Sequence, residues 1–147
     1  KVKKQLIQVA YLVAGTTFNL YDERTDEEQH YYFKSGIAAL IKQLNRNNAP
    51  VHQTAIYIHR SINEIEAEVA IQYNDGFVEN VESFANVVPT TEGGTHVTGF
   101  RTALTRVIND YARKIEALKE KDENFTGDDI KEGLICIISI YIFEPLI

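Results

Sequence analysis

At 147 residues, 44% of them hydrophobic, the chain is sized for one domain with a single buried core rather than for two. Its net charge of -6 argues against a module that grips nucleic acid by bulk electrostatics, so any such contact must be local or brief. No run approaches the roughly 18 to 20 apolar residues of a membrane span, and the lone Cys136, inside Leu134-Ile135-Cys136-Ile137-Ile138, reads as a small buried hydrophobe in a reducing, cytoplasmic setting.

In chain order, Leu6, Val9, Ala10 and Val13 recur at helical spacing and Gly15 follows as a stop, which predicts a helix over Lys3–Ala14. The β-rich runs Thr16–Tyr21 and Gln29–Phe33 flank the acidic stretch Asp22–Glu28 and predict a hairpin with a solvated loop. Ser35 is placed to cap a helix with the stripe Ile37, Leu40, Ile41 and Leu44, which Asn47-Asn48-Ala49-Pro50 ends. A short strand is expected at Ala55–His59. Glu66–Tyr73 then alternates, and Asn74-Asp75-Gly76, with Gly76 left-handed, is expected to fold it against Phe77–Phe84 as a three-residue hairpin.

Beyond the loop Val88–Gly94, a long helix is predicted from the stripe Phe100, Ala103, Leu104, Val107, Ile108, Tyr111, Ile115 and Leu118. After the charged linker Lys119–Asn124, Thr126 followed by Asp129 is a helix-start signature, and Gly133 ends that short helix. The apolar run Leu134–Phe143 predicts a strand covered on both faces. Hairpins mixed with long helices give the α+β class.

Candidate chemistry is sparse. Gly93-Gly94-Thr95-His96-Val97-Thr98-Gly99 precedes a helix, where backbone N–H groups could hold an anion, but it lacks the lysine of a P-loop and the spacing of a dinucleotide fingerprint. His30, His52, His59 and His96 have no ligand spacing for zinc. A nucleophilic triad would need Ser83 or Ser139 beside His96, which nothing in the sequence requires. Asp128 and Asp129 could ligate magnesium, but two acids in a first helical turn are better read as capping. Arg106 and Arg113 stand opposite the apolar stripe of the long helix, as solvated arginines do, with Arg101 on its flank.

Three blocks go beyond composition: Asn74-Asp75-Gly76-Phe77, Gly93 to Arg101, and Thr126 to Leu134. Together with Tyr21-Asp22-Glu23-Arg24, the Ile37–Asn45 segment and Asn86-Val87-Val88-Pro89, they resemble, in order, the transducer domain of bacterial type IIA topoisomerase B-type subunits, the DNA gyrase and topoisomerase IV family. The resemblance implies a ribosomal protein S5 domain 2-like two-layer sandwich, a mixed sheet packed on helices. It implies residues 1–15 as a helix arriving from an upstream ATP-binding domain and 16–147 as the transducer domain. ATP and Mg2+ would then be bound elsewhere in the parent protein, and the fragment alone would be inactive.

Its expected partners are the ATP-binding and cleavage domains of the same polypeptide, a gyrase A-type subunit and duplex DNA, with no membrane. A chain that opens on Lys1, has no methionine and stops at Ile147 reads as a piece of something longer, ending before the family's loop whose lysine reaches the ATP γ-phosphate. Carried over residue by residue, Arg101 is the DNA-facing position. Phe143 departs from the family pattern, in which proline is usual at this position. The alternative is a free-standing S5-like nucleic-acid-binding module.

Overall fold

The structure, a computed structural model, describes residues 1–34 and 36–144. The cap assigned to Ser35 and the chain past Glu144 lie outside the described residues.

Among the described residues the fold has two sheets and four helices. Helix α1 (Val2–Leu12) leads into a two-stranded antiparallel sheet of β1 (Phe18–Asp22) and β2 (Glu27–Tyr31), and α2 (Ile37–Leu44) follows. The main sheet is built from β3 (Ile56–Ile62), β4 (Ile65–Tyr73), β5 (Asn80–Ala85), β6 (Val88–Pro89) and β7 (Leu134–Tyr141), in the order β3-β4-β7-β5-β6. Between β6 and β7 come α3 (Thr95–Lys114) and the short α4 (Gly127–Lys131). Among the described residues no helix is long and apolar enough to cross a membrane.

Side chains alternate across a strand, so the unbroken run of β7 must bury both faces. Ile135 and Ile137 face the stripe of α2 (Ile37, Leu40, Ile41), joined by Tyr11 and Leu12 of α1, Ala70 and Phe84. Leu134, Cys136 and Ile138 face the other way, onto Ile71 and Val97, with Phe100 and Leu104 of α3 packed against them. The expected α+β sandwich of a mixed sheet on helices is therefore present, with α1 and α2 forming a further layer on the opposite face. Burial pushes the Cys136 thiol up to about 12, as befits a core residue rather than a nucleophile.

The expected Asn74–Gly76 hairpin is not formed. β4 and β5 do not pair; β7 lies between them, antiparallel to β4 and parallel to β5. A strand apolar on both faces needs the centre of a sheet, and seating β4 directly against β5 would push β7 to an edge. Gly76 stays out of the left-handed region. Its N–H bonds to Asn74 Oδ1 (2.9 Å), while Asn74 N bonds to the Gly133 carbonyl (2.9 Å) and Asp75 N to that of Ala49 (3.0 Å). The segment ties three stretches of chain together instead of reversing one. The real hairpin joins β3 to β4 through Asn63 and Glu64, both at positive φ (48° and 64°), the two-residue geometry that suits strand twist.

Helix α3 begins five residues before the predicted stripe and ends short of it. Glu116 takes φ +60°, and the Leu118 N–H returns to the Ala112 carbonyl (3.1 Å), closing the C-terminus. Only part of the stripe faces inward: Val107, Tyr111 and Ile115 are 56%, 60% and 54% exposed, whereas Asn109 and Ala112 are buried.

Arg113, read from sequence as solvated, braces the loop after α3. Its Nε and Nη2 donate to Asn124 Oδ1 (2.9 and 2.6 Å), Nη1 to the Lys119 carbonyl (3.0 Å) and Nη2 also to that of Asp122 (2.8 Å). We expect Arg113→Ala to loosen this loop while leaving the core intact, with tryptic cleavage after Lys119 or Lys121 about tenfold faster. Timed digestion followed by mass spectrometry checks it, and an unchanged rate counts against the brace.

Candidate functional site

The N-terminal end of α3 meets the sheet at a cleft of about 610 Å³ bordered by Gln8, Glu82, Ser83, Thr90, Gly93 and Arg101, among others. Gly93 (φ +85°) and Gly94 (φ +158°) turn the chain into the helix. A Cβ on Gly94 would sit 2.7 Å from the His96 ring, so the imidazole packs against this glycine and leaves no room for a side chain there.

His96 Nε2 meets Thr90 Oγ1 (3.2 Å), and Thr90 Oγ1 in turn meets Ser83 Oγ (2.6 Å). Thr90 thus stands between the serine and the histidine, and no carboxylate among the described residues bonds to His96. Partial burial lowers the His96 pKa, which favours the neutral ring. Ser139 is fully buried on the α1 and α2 side of the sheet, far from any role beside His96. The arrangement is a hydrogen-bonded brace under the loop, not a nucleophilic triad.

The remaining histidines are dispersed. His59 pairs with Glu66 (2.6 Å), His52 accepts from Tyr73 N (3.0 Å), and His30 bonds to Asn19. Among the described residues no group of three or more His, Cys, Asp or Glu is arranged to hold a metal ion. Asp129 closes a capping box with Thr126, receiving its N–H at 2.8 Å, and those bonds hold the carboxyl below its ordinary pKa. Asp128 pairs with Lys131 at 2.8 Å. Asp129 thus caps the helix as expected, whereas Asp128 makes an exposed ion pair instead of a cap.

Arg101 occupies the most connected position. It borders the cleft at the α3 N-terminus, a groove between α3 and α4, and a shallow depression reaching Arg106 and Asn124. Its guanidinium donates through Nη1 and Nη2 to the two oxygens of Glu79 (2.5 and 2.7 Å), a bidentate pair. That bond raises the Arg101 pKa further. Sequence reading missed Glu79, because nothing local marks a partner 22 residues away.

A second missed group is the buried chain joining α2 to the end of β4. Asn45 Nδ2 donates to Gln72 Oε1 and Asn74 Nδ2 to Asn45 Oδ1, both at 2.9 Å. Polar residues flanking predicted elements were the only signal available for it.

With this geometry in hand, comparison with known proteins is direct. A family model described as DNA gyrase B matches residues 36–146. The DNA gyrase B protein of Clostridium acetobutylicum is 46% identical over 145 residues, 98% of this chain and 23% of that protein. Its counterpart in Streptococcus pneumoniae is 46% identical over 142 residues, 95% of this chain and 22% of its own. The chain thus spans less than a quarter of the length of these relatives. Among solved structures, the 43K ATPase domain of Thermus thermophilus gyrase B, in complex with an aminocoumarin, aligns with a TM-score of 0.86 at 34% identity, covering 99% of this chain and 40% of that one. The topoisomerase IV ATP-binding domain of Francisella tularensis shares the fold, with a TM-score of 0.78 at 23% identity over 99% of this chain and 38% of that one.

Proposed function

The chain belongs to the DNA gyrase B family, and from that premise we propose that it is the transducer domain of the ATPase subunit of a type IIA DNA topoisomerase. In this reading, residues 1–15 join it to an ATP-binding domain, residues 16–147 form the transducer, and the domain couples ATP binding and hydrolysis to passage of one duplex through another. The cleavage domain of the same polypeptide and a gyrase A-type subunit are the partners, in the cytoplasm. A free-standing nucleic-acid module is not favoured, given the acidic charge and relatives more than four times as long.

The observation that carries the reading is mechanical. Six consecutive residues of β7, Leu134 to Ser139, are buried between helices on both faces. The end of α1 is locked into the same core through Tyr11 and Leu12. Close-packed interiors transmit strain rather than absorb it, so a displacement applied at α1 moves the sheet as a body and bending is left to the ends.

ATP and Mg2+ do not fit the residues present. No lysine follows the Gly93-Gly94 turn at P-loop spacing, Asp129 is taken up by the cap, and among the described residues no group of three or more His, Cys, Asp or Glu could hold the ion. Nucleotide chemistry belongs to the ATP-binding domain, and this chain contributes position. Arg101, at the junction of three clefts, is the residue proposed to face the transported duplex.

Two measurements test this. The purified chain is expected to fold and to hydrolyse no ATP, so a turnover that survives repurification would overturn the assignment. In the whole subunit assembled with its partner, Arg101→Gln is expected to lower strand-passage events per ATP consumed about tenfold, the scale of one lost charged contact. An unchanged ratio removes Arg101 from the path of the DNA.

A further inference from the structure

Arg101 does not present a free charge. Both of its terminal nitrogens are bound to one carboxylate, and of the two partners the carboxylate is the more enclosed, with side-chain exposures of 44% for Arg101 and 20% for Glu79. Lys131, in the same groove between α3 and α4, is held charged first by Asp128 (2.8 Å) and to a lesser degree by Glu79, while Arg101 opposes it. On the face where the duplex is proposed to pass, Asp128 thus answers Lys131 and Glu79 answers Arg101.

We propose that Glu79 is a built-in counter-ion that silences Arg101 toward DNA, so that a backbone phosphate gains this arginine only by displacing the carboxylate. The inference rests on the proposed DNA-facing role of Arg101. Its logic is that a duplex in transit must be sensed and then released. A fully charged guanidinium in an open groove would add a lasting phosphate contact and its counterion-release gain, whereas a pre-paired one offers only the difference between two anions. The net charge of -6 acts in the same direction over the whole surface. Glu79 is thus a residue that tunes duplex affinity without touching the DNA.

The test is a four-member cycle on this chain, titrated with a short fluorescein-labelled duplex across a salt series. The set is wild type, Glu79→Gln, Arg101→Gln and the double variant, with Glu23→Gln on the β1–β2 turn as a control for a bare loss of one negative charge. Glu79→Gln is expected to bind about fivefold tighter near 0.1 M salt, with a log–log salt slope steeper by about one unit. The double variant should return to wild-type affinity, because a silent pair and a neutral pair look alike to DNA. Arg101→Gln alone, which bares Glu79, should bind more weakly than wild type.

The proposal is overturned if Glu79→Gln equals wild type while both arginine variants weaken binding equally. That pattern means Arg101 already holds the duplex with Glu79 in place, and the DNA-facing role survives. It is also overturned if Glu23→Gln gains as much as Glu79→Gln, which makes the gain a bulk-charge effect. Equal affinity for all four members overturns the DNA-facing role itself. Thermal melts accompany each titration, and Glu79→Asp, which keeps the counter-charge, is expected to stay at wild-type affinity. Should Glu79→Gln fail to fold, a gain in affinity by Glu79→Asp would sink the idea equally.

Discussion

Gly133→Ala is expected to destabilise the chain by at least about 3 kcal/mol, a large part of the ~5–15 kcal/mol that holds a typical domain together. Gly133 sits at φ +72°, which costs a residue with a Cβ about 1–2 kcal/mol even in open space. Here the space is closed: the added Cβ would lie 2.5 Å from the Asn74 carbonyl oxygen and 2.9 Å from that of Gly76. Neither obstacle is a flexible side-chain end, so relief requires the backbone to separate. Separation stretches the bond from Asn74 N to the Gly133 carbonyl and, through Asp75, the tie to Ala49. Thermal melting should show a midpoint lower by on the order of 10 °C, using ~3 °C per kcal/mol for a chain of this size. A shift under about 2 °C would mean that the Asn74–Gly76 segment yields freely.

Ile137→Ala is expected to cost about 3–4 kcal/mol, the usual range for truncating a large aliphatic residue in a tight interior. Ile137 is completely buried at the middle of β7 and packs among Ile41, Ala70 and Phe84 in the layer that joins α1 and α2 to the sheet. The residue is flanked on both sides by strands, so little can move in to fill the void. Ile62→Ala makes the contrast, since Ile62 is 65% exposed at the end of edge strand β3, and a change within about 0.5 kcal/mol is expected there. Urea titration of both variants checks the pair, and equal losses would contradict the placement of the core. Loss of rigidity at Ile137 should also reach function: in the whole subunit, coupling should fall before ATP turnover does.

What was legible in the sequence was whatever depended on near neighbours. The α2 stripe of Ile37, Leu40 and Ile41 and the Thr126–Asp129 cap were read correctly, because helical spacing and capping are settled within a few residues. The two-sided burial expected over Leu134–Phe143 holds as far as Ser139, the strand ending at Tyr141 with Phe143 exposed. Asn74-Asp75-Gly76 misled because its composition is that of a hairpin turn, whereas its conformation is set by Gly133 and Ala49, distant in sequence. Asn63-Glu64 was passed over because glutamate is an uncommon occupant of positive φ, and β3–β4 pairing imposes it.

The long helix shows the same division: periodicity located it, but only the packing of Val97, Phe100 and Leu104 decides which apolar residues turn inward. At the candidate site, the role given to Arg101 came from family resemblance alone. No local pattern points to Glu79, because an ion pair across 22 residues exists only once the loop before β5 lies beside α3. The comparisons bear out the family that the glycine-bearing blocks first pointed to.

The placement of β7 has a consequence for biosynthesis. Among the described strands of the main sheet, the one at its middle is the latest to leave the ribosome, because β3 to β6 and both later helices precede it. Until Leu134–Tyr141 emerges, β4 and β5 have no partner along the edges that β7 will fill, and apolar groups such as Ala70 and Phe84 lack their cover. A nascent chain in that condition is a target for holding chaperones and for mispairing with neighbours on the same polysome, and translation stalled just upstream of Leu134 is where aggregation should concentrate.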